Sequence, residues 1–131
     1  MSAYINISEI ESRFNYSDKK NKVIEISNYN GIRTYEKYDE DGRLILRGES
    51  LAGKLHGKGI VFYKNGNIHC IIHYKDGEMD GLAQGYYLYG SLAMEIVFKM
   101  GKTVSGAYYK KSGKKTLMTQ AQLDRKTKEN L

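Results

Sequence analysis

The chain has 131 residues, of which 40% are apolar and 27% charged, with 21 Lys and Arg against 15 Asp and Glu. That balance argues against a disordered or a membrane-embedded class, and no apolar run approaches the roughly 20 residues that span a bilayer. A single cysteine, Cys70, excludes an intrachain disulfide framework, while 12 Tyr and 14 Gly with no Pro favour strands joined by tight turns.

The N-terminus comes first. Met1 to Phe14 lacks the basic start and apolar centre of a secretory leader, so the expected compartment is the cytoplasm. Ser8-Glu9-Ile10-Glu11 fits a capping box, and Tyr4, Ile7, Ile10 and Phe14 fall on one helical face. A short amphipathic helix is therefore expected within an N-terminal cap of residues 1–31, which also holds a first strand.

From residue 32 to 113 the sequence repeats. One glycine column runs Gly42, Gly66, Gly90, Gly113, a second Gly53, Gly77, Gly101, and a third Gly57, Gly81, Gly106, all in steps of about 24. The aromatic column Tyr38, Phe62, Tyr86, Tyr109 keeps step. Between these markers side chains alternate with the period of a strand. One face receives Ile68, Cys70, Ile72 and Tyr74, then Leu92, Met94, Ile96 and Phe98; a repeat earlier it has Leu44 and Leu46 but weakens at Gly48 and Ser50. The opposite face is mixed, with His69, Ile71, His73 and then Ala93, Glu95, Val97.

Asp41-Gly42 and Asn65-Gly66 mark tight turns, and Lys75 to Gly81 reads as a second, longer turn with a glycine near each end. Each unit is then two strands and two turns. The expected fold is mainly β: an elongated single antiparallel sheet of stacked β-hairpins, about seven strands and roughly 30–35 Å across, with short flanking helices.

Residues 114–131 read as a basic C-terminal helix or tail. Caps are needed at both ends of such an array, because the first and last strands otherwise offer open edges. Residues 99–131 hold 9 Lys and Arg against 2 Asp and Glu, so the whole positive excess sits in the last quarter.

The string from Gly53 to Gly66, Gly-Lys-Leu-His-Gly-Lys-Gly-Ile-Val-Phe-Tyr-Lys-Asn-Gly, resembles the MORN repeat, and Gly77 to Gly90 repeats the pattern. Three to three and a half units, about 80 residues, carry the likeness. The strands Ile68–Tyr74 and Leu92–Phe98 contain no Trp and alternate apolar residues, which is similar to the bacterial MORN-variant subfamily, some members of which are antitoxin components. The resemblance implies stacked hairpins that act by contacting proteins or lipids, without a shared catalytic centre.

No chemical site is expected from the residues. His56, His69, Cys70 and His73 have zinc-ligand chemistry, but His69 and His73 would lie about 13 Å apart along one strand and Cys70 faces the other way. No nucleophile elbow or phosphate loop is present, so neither an enzyme, a metal nor a cofactor is expected. Function is expected from binding. The mixed face, with Tyr63, Tyr87, His69, His73 and Glu95, is the expected contact surface for a protein partner, in an antitoxin or immunity-like role. The alternative is a peripheral adaptor that holds acidic lipid or nucleic acid through Lys110, Lys111, Lys114 and Lys115 beside Tyr108 and Tyr109. Lysines there also suit a guarded sheet edge.

Overall fold

The computed structural model describes residues 21–129. The helix expected over Tyr4 to Phe14 lies outside the described residues. Eleven strands follow one another: β1 (Lys22–Tyr29), β2 (Ile32–Tyr38), β3 (Leu44–Leu51), β4 (Lys54–Leu55), β5 (Gly57–Phe62), β6 (Ile68–Lys75), β7 (Glu78–Met79), β8 (Gly81–Tyr86), β9 (Leu92–Lys99), β10 (Lys102–Tyr109) and β11 (Lys115–Leu117). One helix, α1 (Gln120–Glu129), closes the described chain. All strands join one open antiparallel sheet in the order β1-β2-β3-β5-β6-β8-β9-β10-β11, with β4 on β3 and β7 on β6. Nine strands span its width: the seven expected across the repeats (β2, β3, β5, β6, β8, β9 and β10), the first strand expected in the N-terminal cap (β1), and β11 in addition; the short β4 and β7 break out of the longer turns and lie off this path.

Two kinds of turn alternate along its two ends. At one end, Asn30-Gly31, Ala52-Gly53, Asp76-Gly77 and Met100-Gly101 each place two successive residues at positive φ, the two-residue hairpin geometry that matches strand twist. What reads as one long turn from Lys75 to Gly81 is such a tight turn, then β7, then a left-handed Gly81 that kinks the chain into β8. Successive units are tied there by the Gly77 amide to the Leu55 carbonyl and the Gly101 amide to the Met79 carbonyl, one repeat apart in sequence.

At the other end, residues 39–43, 63–67, 87–91 and 110–114 repeat one hydrogen-bond pair, such as the Tyr63 amide to the Asn67 carbonyl and the Gly66 amide to the Tyr63 carbonyl. In these turns only the glycine has positive φ; Asp41 and Asn65 do not.

Packing is one-sided. Met118 and Leu123 join Met79, Ala83, Ile96 and Phe98 in a buried cluster, flanked by Ile72, Tyr74, Met94 and Tyr108. The helix therefore lies on the face that carries Ile72, Tyr74, Ile96 and Phe98, the more apolar of the two in sequence. Its seating depends on Gly106, where a Cβ would stand 2.6 Å from the Met118 sulfur and 3.2 Å from Leu123. Thr119 caps the helix, accepting from the Gln122 amide while Gln122 accepts from the Thr119 amide. At the far end of α1, Thr103 and Thr127 bond to one another at 2.7 Å.

Candidate functional site

The face opposite α1 carries the candidate site, and strand register lays it out as one row. Reading across neighbouring strands gives Ile24, Glu36, Arg47, Ile60, Ile71, Gln84, Glu95, Ala107 and Leu117. Leu82 and Val97 pair beside it and are 38% and 39% exposed, well above the exposure of the core side chains under α1. The half-buried Ile60 and Ile71 and the exposed Leu82 and Val97 beside them thus form an apolar patch at the centre of this face, next to Gln84.

A carboxylate stands on either side of that centre, each in a built arrangement. Glu36 accepts from the Arg47 guanidinium, at 3.1 Å from Nε, and from the Tyr38 hydroxyl at 2.8 Å. These bonds, Arg47 first, hold its carboxyl below the usual range against the opposing effect of burial. Glu95 accepts from the Tyr109 hydroxyl at 2.5 Å, and the Lys115 ammonium lies 5.9 Å from the centre of the Tyr109 ring. The bond to Glu95 raises the Tyr109 phenol above its ordinary value, since losing the proton would leave two anions in contact.

The five residues expected to contact a partner are split by the structure. Glu95 stands in the row, and the His73 ring bonds the Leu82 carbonyl at 2.7 Å, beside Val97. Tyr63 stacks on His69 with ring centres 4.3 Å apart at the turn end of the sheet. The Tyr63 hydroxyl donates to the Tyr86 carbonyl and the Tyr87 hydroxyl to the Tyr109 carbonyl, both at 2.6 Å. These tyrosines share one structural task in successive repeats, bracing each turn against the next. Asn65 and Asn67 add to it by donating to the Leu88 carbonyl.

Ile60, Leu82 and Arg47 were not singled out from sequence. Ile60 and Leu82 sit in strands whose other face is rich in glycine, so their alternation shows less contrast than that of β6 and β9. His56, at the kink after β4, His69, Cys70 and His73 do not converge, and among the described residues no three His, Cys, Asp or Glu side chains gather as a metal site. Lys110, Lys111 and Lys114 belong to the fourth turn and Lys115 opens β11; all four are exposed. The Lys111 ammonium lies 5.6 Å from the centre of the Tyr87 ring. Among the described residues, no helix is long and apolar enough to cross a membrane.

With this geometry in hand, comparison with known proteins gives a likeness of fold. No family model matches the chain, and no curated protein matches it. Among solved structures it is similar to part of accessory secretory protein 1, 2 and 3 in Streptococcus pneumoniae, with a TM-score of 0.55 at 16% identity over 87% of this chain and 21% of that one. The glycosylation-associated Gap123 complex from Streptococcus agalactiae gives a TM-score of 0.46 at 14% identity, over 89% of this chain and 25% of that one. A mutant of S. aureus TarM, in complex with Fondaparinux, alpha-GlcNAc-glycerol and UDP, gives 0.47 at 12% identity, over 85% of this chain and 22% of that one. The chain thus spans about a fifth to a quarter of the length of these structures.

Proposed function

We propose that the protein is a non-catalytic repeat module that docks a protein partner on the open face of its sheet, in an antitoxin or immunity-like role of the kind the MORN-variant resemblance suggests. The observation that carries this reading is the apolar patch of Ile60, Ile71, Leu82 and Val97 on the face opposite α1, with the Glu36–Arg47 and Glu95–Tyr109 pairs flanking it. An apolar centre with a polar, hydrogen-bonded surround is the composition of protein–protein interfaces. It lies on rigid strands, so little ordering entropy opposes association.

The test is affinity capture with the wild-type chain against Leu82→Arg with Val97→Arg, and against Met100→Arg as a control away from the row. A partner held in defined stoichiometry should be lost with the double variant alone and should persist at high salt. Equal capture by all three chains would refute the reading. Tyr63→Ala with Tyr87→Ala is a poorer probe, because both hydroxyls brace the sheet.

The second reading, adsorption to acidic lipid or nucleic acid, is favoured by one observation: Lys110, Lys111 and Lys114 crowd a single exposed turn beside Tyr87. Replacing Lys110, Lys111, Lys114 and Lys115 with Gln should then abolish low-salt retention on anionic vesicles or nucleic acid without unfolding the sheet. Absence of retention by the wild type ends that reading.

A further inference from the structure

The face opposite α1 is not level. In the three equivalent strands β5, β8 and β10, register sets Ile60 beside Arg47, Gln84 beside Ile71 and Ala107 beside Glu95. Two residues earlier on the same face stand Lys58, Leu82 and Ser105. The last unit therefore has small side chains at both positions that the earlier units fill with larger ones, and β10 becomes the base of a depression between β9 and β11. Its volume is about 170 Å³. The exposed Leu82, Val97 and Leu117 wall it over the buried Ala107, and Glu95 and Lys115 add one charge of each sign. A small-molecule site commonly needs about 300 Å³ or more, so the space suits one large side chain of another protein.

Charge narrows which side chain that is. A cationic occupant would meet Lys115 and an anionic one Glu95, whereas a neutral occupant meets neither cost. The apolar walls favour a ring or a branched chain. Glu95 favours a donor at its tip, because a carboxylate accepts from more than one donor and the Tyr109 hydroxyl supplies one. Tyrosine has both features. Tyr109 makes the same contact from within the chain: its hydroxyl donates to Glu95 at 2.5 Å while the Lys115 ammonium lies 5.9 Å from its ring centre.

We propose that this depression seats a tyrosine side chain of the protein partner, its ring over Ala107 between Val97 and Leu117 and its hydroxyl donating to Glu95. The inference rests on the docking reading above and adds the chemistry of the anchor. β9 and β11 stand about 10 Å apart across β10, which leaves room for a ring laid between their side chains. A rigid aromatic held in such a seat gives large contact area at low entropic cost, as the central residues of protein interfaces do.

The probe is p-cresol, the tyrosine side chain as a free molecule, titrated into the isotope-labelled full chain and followed by amide chemical shifts. Saturable shifts should appear at Val97, Ala107 and Leu117. The methyl ether of p-cresol has the same ring without the donating proton and should bind at least about fivefold more weakly, since a bond to a charged acceptor is then lost. Ala107→Leu, which fills the base, and Glu95→Ala should each weaken p-cresol binding by at least the same factor, with circular dichroism checking that the sheet persists. Should either variant unfold, the comparison of the two probes on the wild-type chain decides alone. No saturable shift, shifts away from β9 to β11, equal binding of the two probes, or undiminished binding by the folded variants would each overturn the proposal. Affinity capture separates it from the docking reading: a partner lost with Leu82→Arg and Val97→Arg together but held by Ala107→Leu overturns the tyrosine seat and leaves the docking reading standing, whereas equal capture by every chain removes both.

Discussion

Cys70 and Glu36 respond to pH in opposite directions, and both effects follow from where the strands place them. Cys70 pairs with Val61 and Gly85 on the face that α1 shares, and burial pushes its thiol up to about 11. The folded state therefore favours the neutral thiol. That contribution is complete below the ordinary thiol value and is lost as pH rises through about 11. Alkylation by iodoacetamide near pH 8 should accordingly run at least tenfold slower in the native chain than in urea. Glu36 is the reverse case: its carboxyl is held low by Arg47 and Tyr38, so its contribution is present above the ordinary carboxylate range and disappears as pH falls through the lowered value. Glu36→Ala should cost about 1 kcal/mol in urea unfolding at neutral pH, and little at pH 2, where the carboxyl is protonated in either state.

The two-residue turns show how much of the hairpin was legible and what was hidden. Period-two alternation in Ile68–Tyr74 and Leu92–Phe98 fixed their strands and faces, because each face meets a different environment. The turns were harder to read. Asn65-Gly66 and Asp41-Gly42 look like the tightest hairpins, yet the positive-φ pairs fall at Ala52-Gly53 and Met100-Gly101 as well as at Asn30-Gly31 and Asp76-Gly77. Ala and Met give no local signal for that conformation; the twist of the flanking strands imposes it. Ala52→Asn and Met100→Asn should therefore stabilise the sheet by about 0.5–1 kcal/mol each, read as a rise in melting temperature, since Asn tolerates the left-handed region at lower cost. Gly106→Ala should do the opposite, because the new Cβ meets the Met118 sulfur at 2.6 Å and the Glu95 carbonyl at 3.2 Å. A loss of about 1–2 kcal/mol is expected, with faster hydrogen exchange confined to α1.

For the molecule as a whole, the sheet was readable in the glycine columns but the open row was not. A repeat in sequence announces that units stack, whereas which side stays uncovered depends on where α1 lands, and that is decided by Gly106, Met118 and Leu123 meeting over a distance the sequence does not display. The same stacking has a further outcome. Each unit is tied to the next through bonds such as Gly77 to Leu55 and Gly101 to Met79, so one unit can be excised without opening the rest. Deleting residues 77–100 joins Asp76 to Gly101 and preserves a two-residue turn of the existing type. It also hands α1 an equivalent seat, with Tyr74, Ile72 and Leu55 standing where Phe98, Ile96 and Met79 stood. The shortened chain should fold, and small-angle scattering should find its longest dimension reduced by about 10 Å, two strand spacings. The sheet is in this sense a ruler graduated in steps of two strands, whose width is set by how many units its gene counts out.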